Sequence, residues 1–348
     1  MHYLTSLRGF AAIFVVFYHI RNYISEDSIL FFLKNISGKG YLAVDFFFIL
    51  SGFIISLRYK SWFDSRQLIY YRVYLIRRVA RIFPLHLAIL VAYLFIVLTL
   101  VLTSREVPSQ FSIGGFFAKL LLIDAWLLGI DHWNSWNVPS WTISAELMAY
   151  ILFPFLVRFT LVNLKRTILT GVIAIVSIAA FYQLLGYRSL GDGIGTLGVF
   201  RCVIEFSLGM CVYFFYTQSY QVKSPIIILL VIIVSLFLSS MLISSNHFYV
   251  PLFFALALYY VLHLPESIQN ILEHRVLIWL GDISFSIYLS HTVVLYGFTL
   301  LLPSGNISFS TINVVLYLFG VLLFSHITFH YIEVPARKWL TVKYGNLP

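Results

Sequence analysis

The segment LTSLRGFAAIFVVFYHI, residues 4 to 20, is long and apolar enough to span a membrane, yet it contains Arg8 and His19. The two residues are eleven positions apart, which at 100° per residue puts them on one face of a helix. The rise between them is about 16.5 Å. Because an ionisable side chain is costly at membrane depth, it marks a functional site by default. We therefore predict that His19 takes part in the chemistry of this protein.

The composition of the 348-residue chain predicts a polytopic membrane protein. Hydrophobic residues make up 60% of the chain, charged residues make up 11%, and the mean hydropathy is +0.91. The net charge of +9 does not indicate nucleic-acid binding, since the Lys and Arg residues fall between apolar runs without a dense basic tail or an aromatic RNA-binding signature. We interpret this charge as a signal of membrane topology together with a local anion site.

Neither a metal site nor a disulfide framework is indicated by the sequence. Cys202 and Cys211 are its two cysteines, and their spacing of nine puts them on opposite sides of one helix. Neither an internal repeat nor a separate soluble module is visible along the chain. We predict a single integral membrane domain that covers residues 1–348.

Ten apolar runs are long enough to span the bilayer, so the predicted fold is an all-α transmembrane helical bundle. The basic residues that follow the second run, Arg66 and Arg72 among them, predict a cytoplasmic connection and therefore a cytoplasmic N-terminus. A further apolar run at 113–130 is harder to place. If the segment 113–140 is re-entrant or lies at the outer surface, the C-terminus is cytoplasmic as well, and this is the topology we predict. The ten predicted spans are 5–24, 41–57, 83–103, 142–161, 167–186, 198–216, 225–244, 247–264, 277–302 and 310–334.

This topology puts His19 and Asp45 at a similar depth in neighbouring helices. The first span runs outward and the second runs inward, so both residues lie toward the outer half of the membrane. A carboxylate beside an imidazole orients the ring and raises its basicity, as a general base for a hydroxyl requires. The alternative is a buried His and Asp that satisfy each other for structural reasons.

The segment RRVARIFP, residues 77 to 84, places arginines at the cytoplasmic mouth of the third span. Arg78 and Arg81 are three positions apart and face the same way on a helix. Guanidinium groups bind phosphate or pyrophosphate through bidentate hydrogen bonds, so this pair is suited to a nucleotide or coenzyme A. The alternative is contact with anionic lipid headgroups, which is the commoner use of arginines beside a membrane.

Tryptophans on the predicted outer side indicate a place for an acceptor. Trp133, Trp136 and Trp141 precede Glu146, which enters the fourth span. Tryptophans at an interface normally anchor the protein in the membrane, but their rings also stack on sugars, and a nearby carboxylate can accept hydrogen bonds from sugar hydroxyls.

Two further groups of charged or polar residues lie within predicted spans. Arg201 and Glu205 are four positions apart near the outer end of the span 198–216. They form either a structural ion pair or part of an acceptor cleft. His291 is a lone histidine near mid-membrane, and we interpret it as a packing or hydrogen-bonding residue.

Six segments, taken in order, resemble the successive signatures of the acyltransferase-3 family of integral membrane acyltransferases, which modify cell-envelope polysaccharides and related acceptors. In that family a pattern of Arg, ten residues and His maps onto Arg8 and His19, and the resemblance implies that the His is catalytic. The family's Arg-x-x-Arg motif falls on Arg78 and Arg81 and implies a cytoplasmic acyl-CoA donor. The segments are SLRGFAAIFVVFYH, VDFFFILSGFIIS, RRVARIFP, VPSWTISAELMAYILFP, GDISFSIYLSH and HYIEVPARK.

The family's Ser-x-x-x-Glu element reads here as Thr142 to Glu146, a change that keeps the hydroxyl and the carboxylate. Many relatives carry an additional esterase-like domain after the last span. Because this sequence stops at Pro348 after a short basic tail, we expect the stand-alone form.

The expected function is therefore O-acyl transfer in the bacterial inner membrane, with acetyl-CoA or another acyl-CoA as donor and a polysaccharide or glycolipid as acceptor. His19 would act as general base, with an acyl-histidine intermediate as the alternative. A transporter or flippase is the main competing class, and it predicts inverted repeats and broken helices, neither of which is clear in the sequence. A non-catalytic partner in polysaccharide export is a third possibility. Acceptor, acyl length and oligomeric state are not readable from the sequence.

Overall fold

The computed structural model describes residues 1–63, 68–126, 131–218, 222, 224–242, 247–301 and 308–346. Arg66, which helps to orient the chain, and residues 127–130 lie outside the described residues. Within these ranges the chain is helical and has no β-strand, as predicted. The helices are α1 (Tyr3–Ile20), α2 (Phe32–Ile36), α3 (Ala43–Tyr59), α4 (Leu68–Leu102), α5 (Ile113–Leu120), α6 (Trp141–Thr160), α7 (Leu164–Leu184), α8 (Ile194–Thr217), α9 (Pro225–Leu242), α10 (Val250–Val261), α11 (Glu266–Leu272), α12 (Arg275–Asp282), α13 (Ser284–Leu301), α14 (Thr311–Thr328) and α15 (Val334–Tyr344).

The described part of the chain contains eight helical segments that are long and apolar enough to cross a membrane, so the protein is a polytopic helical bundle. A ninth crossing is present if α10 and α11, which are bent by 112° at their junction, count as one broken span. Helix α9 coincides with the seventh predicted span, 225–244, and Pro225–Ser235 within it is a shorter apolar helix. The eight segments are Tyr3–Ile20, Phe32–Phe63, Leu68–Leu102, Val138–Thr160, Leu164–Leu184, Ile194–Thr217, Ser284–Leu301 and Thr311–Tyr344.

The contacts of α1 and α3 define two ends of the bundle, which we call the Arg8 end and the His19 end. Helix α3 runs opposite to α1, since Tyr41, just before α3, contacts Tyr18 near His19. The last residue of α3, Tyr59, instead accepts a hydrogen bond from Arg78. The C-terminal part of the chain lies at the Arg8 end, because Arg77 Nε donates to the carbonyl of Gly345. The first and the last described residues of the chain are therefore at the same end.

The apolar run at 113–130 does not form a span in its described part. Helix α5 has eight residues and is about 12 Å long, which is too short to cross a bilayer. Its N-cap is Ser112, whose side chain accepts from the backbone N–H of Gly115. The chain then folds back against the start of α6, where Ser144 Oγ donates to the carbonyl of Leu122 and accepts from the N–H of Ala125.

Two glycines allow α3 and α8 to pack with their backbones in contact. A Cβ atom on Gly52 would overlap the carbonyl of Phe206, and one on Gly209 would overlap the carbonyl of Ile49. Only glycine permits this approach of two backbones. Close packing of α3 on α8 brings the start of α3 beside the N-terminal half of α8. This packing puts Asp45 on α3 in contact with Arg201 on α8.

Candidate functional site

A cavity of about 160 Å³ lies among α1, α3, α4, α6 and α13. It follows α3 from Val44 to Ile55, a rise of about 16.5 Å along the helix. All three arginines predicted to bind a donor open onto it. Its polar lining consists of Arg8, Ser51, Arg78, Arg81, Thr142, Glu146, Tyr150, Ser284 and Tyr288.

Arg78 and Arg81 both reach this cavity, as their spacing on α4 predicts, but their surroundings differ. Arg78 Nη2 donates to the hydroxyl of Tyr59 at 2.9 Å, and its guanidinium lies 5.0 Å from the centre of that ring. Its buried Nε has no hydrogen-bond partner among the described residues. Arg81 forms an ion pair with Glu333 and lies over the ring of Phe285. Arg78 is thus the less neutralised of the two.

Glu333 is a site residue that the motif-by-motif reading of the sequence missed. Its side chain is 1% exposed, and its Oε2 accepts a hydrogen bond from Ser286 at 2.9 Å. Arg337 lies 3.7 Å from its other oxygen. Glu333 ends a π-helical turn, Phe329–Glu333, between α14 and α15, a distortion often found at functional sites. Two features of the sequence indicated Glu333: it is the single acidic residue at the end of the apolar run 310–334, and it belongs to the family-like segment HYIEVPARK.

Glu146, which follows the tryptophans and enters the fourth predicted span, lies in the same cavity as the arginines. Ser51 and Tyr150 are its hydrogen-bonding neighbours, and Arg8 and Arg78 are cations that act on its carboxylate. The Ser51 and Tyr150 hydroxyls are themselves 3.2 Å apart. Because α6 begins at Trp141 and runs toward the Arg8 end, Glu146 is already one turn inside the bundle.

Thr142, the hydroxyl residue of the motif, lines the same cavity one helical turn before Glu146. Its Oγ1 donates to the carbonyl of Pro139 at 3.0 Å. Thr142 therefore uses its proton within the start of α6 and presents the hydroxyl oxygen as an acceptor.

His19 is near the far end of the cavity but is not part of its wall. Its Nδ1 donates to the carbonyl of Val15 at 3.0 Å, and its side chain is partly exposed. The ring of His291 lies 4.7 Å away, measured between ring centroids. Tyr288, which does line the cavity, is 6.1 Å from His291 and 5.8 Å from Phe47. The rings of Phe47 and Tyr288 therefore stand where the cavity approaches the two histidines.

Asp45 is bound to Arg201, and the contact with His19 predicted from topology is not found among the described contacts. Arg201 donates to both carboxylate oxygens of Asp45, from Nε at 2.8 Å and from Nη2 at 2.6 Å. Its Nη1 donates to the carbonyl of Leu190, and Glu205 lies 3.4 Å from its Nε. All three charged side chains are at most 1% exposed. Arg201 and Glu205 thus form the structural ion pair that was one of the two sequence-based alternatives, and neither lines the cavity.

The three tryptophans pack into the protein and do not form an open stacking surface. Trp136 is 5% exposed and donates from its indole to the carbonyl of Ser112. Trp141 is also 5% exposed and lies against Phe48. Trp133 is half-buried and packs on the same core. Tryptophan side chains that belong to the core cannot be told from interfacial ones by sequence position alone.

A second buried ion pair holds the segment after α5, and the sequence analysis did not predict it. Lys119 Nζ donates to Asp124 at 2.7 Å and to the carbonyl of Trp133 at 3.0 Å. His86 on α4 donates from its ring to the carbonyl of Lys119. Burial lowers the pKa of Lys119, and the nearby Asp124 charge opposes that shift. This network fixes the segment between α4 and α6.

The described residues contain no group of three or more His, Cys, Asp or Glu side chains arranged to hold a metal ion. The polar side chains that line the cavity are arginines, hydroxyls and the carboxylate of Glu146. The cavity thus lies inside a polytopic membrane bundle and has its three arginines at the Arg8 end.

Comparison with known proteins gives the class of this membrane protein. The family model described as "Acyltransferase domain" matches residues 1–330, so the chain belongs to this acyltransferase family. No solved structure matches the chain.

Three relatives illustrate the similarity. "Acyltransferase MdmB" of Streptomyces mycarofaciens is 32% identical over 157 residues, which are 44% of this chain and 38% of MdmB. "Putative peptidoglycan O-acetyltransferase YrhL" of Bacillus subtilis (strain 168) is 25% identical over 96% of this chain and 54% of its own length. "O-acetyltransferase OatA" of Staphylococcus aureus (strain NCTC 8325 / PS 47) is 24% identical over 96% of this chain and 57% of its own length. The chain thus spans about half the length of the last two relatives.

Proposed function

We propose that this protein is a membrane O-acyltransferase that moves an acyl group, most simply acetyl, from acyl-CoA to a hydroxyl of a cell-envelope or exported polysaccharide. The observation that carries the proposal is the cavity, whose wall contains the three arginines and follows α3 as far as Val44 and Phe47, toward the His19 end of the bundle. Acetyl-CoA matches the two ends of this cavity, because its anionic phosphates suit the arginines and its thioester lies at the other end of a long arm. The names of YrhL and OatA support O-acetyl transfer, and that of YrhL supports a glycan acceptor.

The donor phosphates would bind at the Arg8 end. Arg78 has an unpartnered Nε there, and Arg8 and Arg81 line the same space. Guanidinium groups bind phosphate oxygens with bidentate geometry, which suits this role better than a point charge would. Glu333 neutralises part of the Arg81 charge, so we assign the larger share of phosphate binding to Arg78 and Arg8.

The pantetheine arm would follow α3 toward His19. The cavity wall extends about 16.5 Å along this helix from Ile55 to Val44, which is the same rise as from Arg8 to His19. At the far end the thioester would pass the rings of Phe47 and Tyr288. Hydroxyls of Ser51 and Thr142 and the carboxylate of Glu146 lie along this path and are available to the polar groups of the arm.

His19 would act as general base at the end of the path. Its Nδ1–H is held by the Val15 carbonyl, so the neutral ring has its lone pair on Nε2. This nitrogen takes the proton of the acceptor hydroxyl as the hydroxyl oxygen attacks the thioester carbonyl. The carbon–sulfur bond then breaks, and the leaving thiolate takes the proton from the imidazolium. Attack by His19 itself, giving an acyl-histidine, is the alternative order of events.

The proposed setting is the bacterial cell membrane with both termini in the cytoplasm. The two termini lie at the Arg8 end of the bundle, and the basic connection after α3 lies at the same end. The positive-inside rule assigns such an end to the cytoplasm, where acyl-CoA is available. The acceptor would then reach His19 from the opposite end.

The proposal is tested by acyl transfer from radiolabelled acetyl-CoA to crude envelope glycan, catalysed by purified protein in lipid nanodiscs. General base catalysis contributes roughly 10²- to 10⁴-fold, so His19→Ala should reduce transfer by this amount. His263→Ala is the matched control, since His263 Nδ1 bonds the carbonyl four residues earlier as His19 does, but it lies away from the cavity. Equal transfer by the His19 variant and the control would refute the role of His19. Transport of glycan without labelling would refute acyl transfer itself.

A further inference from the structure

His291 is a fully buried histidine that does not line the cavity and lies against His19. It is 0% exposed, and the centroids of the two imidazoles are 4.7 Å apart. Tyr288 is farther from His291, at 6.1 Å between ring centroids. Tyr317 donates to the backbone carbonyl of His291 and not to its imidazole. His19 is therefore the titratable side chain in closest ring contact with His291.

The two imidazoles are held in the same way on parallel helices. His19 Nδ1 is 3.0 Å from the carbonyl of Val15, and His291 Nδ1 is 3.2 Å from the carbonyl of Ile287. A carbonyl oxygen can only accept, so in each neutral ring the hydrogen is on Nδ1 and the lone pair is on Nε2. The Nε2 atom of His291 is buried and has no hydrogen-bond partner among the described residues.

Neutral His19 cannot compensate this unpartnered atom, because its own Nε2 also carries a lone pair. Once His19 has taken a proton, both of its ring nitrogens are N–H groups and the ring is positively charged. A neutral His291 with an unpartnered lone pair then lies beside a cation, at 4.7 Å between ring centroids, in a site of low dielectric where the attraction is strong. His291 therefore interacts more favourably with protonated His19 than with neutral His19. Such a difference lowers the barrier, because positive charge develops on His19 in the transition state.

Resting on the acyl transfer proposed above, we propose that His291 is a positioning residue that stabilises the protonated form of His19 during the reaction. His19 is partly exposed and touches the acceptor, whereas His291 is enclosed and acts through His19. The acceptor O–H bond breaks, an N–H bond forms on His19, and the proton leaves with the thiolate of coenzyme A. His291 gains and loses no proton in this sequence.

Other titratable groups surround the two histidines, and they must be separated from His291 in the test. Arg21 is the cation whose charge acts on His19, and it stacks over Tyr18 at 3.9 Å. Its charge opposes protonation of His19, so it acts in the sense opposite to His291. The remaining groups are Tyr18 on α1, Tyr41 before α3, Tyr288 on α13 and Tyr317 on α14.

The experiment compares pH–rate profiles of acetyl transfer for wild type, His291→Asn and His291→Gln in nanodiscs. Asparagine keeps a donor at the Nδ1 position but has no atom at Nε2, whereas glutamine places its amide near the Nε2 position. We expect His291→Asn to lower the plateau rate by about 10- to 100-fold, the usual effect of losing a hydrogen-bonding partner of a charged group. Because protonated His19 is then less stable, the acid limb should move to lower pH. His291→Gln should retain the wild-type limb.

Arg21→Gln is the matched control, and its acid limb should move to higher pH. An unmoved acid limb in His291→Asn would overturn the proposal, because a purely structural role changes the plateau alone. If the Asn variant does not accumulate, His291→Phe, which fills the same space without an Nε2 atom, is expected to show the same shift, and an unmoved limb there is equally decisive. Failure of the proposed function is distinct, since wild type would then transfer no label at any pH.

Discussion

The Asp45→Asn substitution tests whether the Asp45 carboxylate stabilises the fold through Arg201 or takes part in catalysis through His19. Both of its oxygens accept from Arg201, at 2.8 and 2.6 Å, and both side chains are at most 1% exposed. Asparagine keeps the shape of the side chain, removes its charge and leaves Arg201 facing Glu205 at 3.4 Å. Glu205 remains as a counter-ion, but the asparagine amide has one acceptor oxygen, so one buried N–H of Arg201 loses its partner, which costs about 1.5–3 kcal/mol.

This loss is large enough to measure as a shift in the melting temperature. For domains of moderate size, each kcal/mol lowers the melting temperature by about 2–4 °C, which predicts a decrease of roughly 3–12 °C for Asp45→Asn. The assay is thermal unfolding of the purified variant in nanodiscs, followed by the rate of acetyl transfer per folded molecule at a lower temperature. If Asp45 serves the fold, this rate should remain within about tenfold of wild type, since the contacts of His19 are unchanged.

A variant that removes all three charges provides the control. Asp45→Asn combined with Arg201→Gln and Glu205→Gln leaves no buried ion without its partner, and we expect it to recover most of the lost stability. The reasoning would be refuted by an Asp45→Asn protein with a wild-type melting temperature and a transfer rate reduced 10²-fold or more. That result would instead support the role predicted from the sequence, in which Asp45 orients the His19 ring and raises its basicity.

Three other substitutions test separate parts of the site and fold. Arg78→Gln removes a charged donor from the cavity and should raise the KM for acetyl-CoA by about 10- to 100-fold in the transfer assay, with folding unchanged; an unchanged KM would contradict donor binding at Arg78. Phe47→Ala should widen the passage between the cavity and His19, so that transfer from butyryl-CoA rises relative to acetyl-CoA; a constant ratio would show that Phe47 does not limit acyl length. Gly209→Val should prevent close packing of α8 on α3 and reduce the folded protein recovered on gel filtration, and normal recovery would refute the backbone contact.

Local patterns in the sequence were sufficient to predict the helices and to predict that Arg78 and Arg81 share one helix face. Apolar runs of spanning length become helices in a membrane because each backbone polar group must be bonded within its own segment. The spacing of three on α4 brings both arginines to one cavity, since neighbouring turns repeat every 3.6 residues. The prediction that 113–140 does not cross follows from the same kind of evidence, and the short α5 agrees with it.

The tertiary structure decided which polar residues meet. Asp45 and Arg201 are 156 positions apart, and their contact follows from the close packing of α3 on α8. Matching depth alone made His19 an equally good partner for Asp45, because depth does not specify which face of a helix points to which neighbour. The contact of His19 with His291 likewise depends on packing between the first and the thirteenth helices.

Sequence by itself therefore determined the class of fold, the family resemblance and the set of candidate functional residues, because these depend on composition and on spacing within one helix. The assignment of Glu146 to the cavity of the arginines, of Glu333 to Arg81 and of the tryptophans to the core was decided only by tertiary structure. The physical reason is that rotation and contact of membrane helices are determined by packing against neighbours, and a single helix does not encode its neighbours.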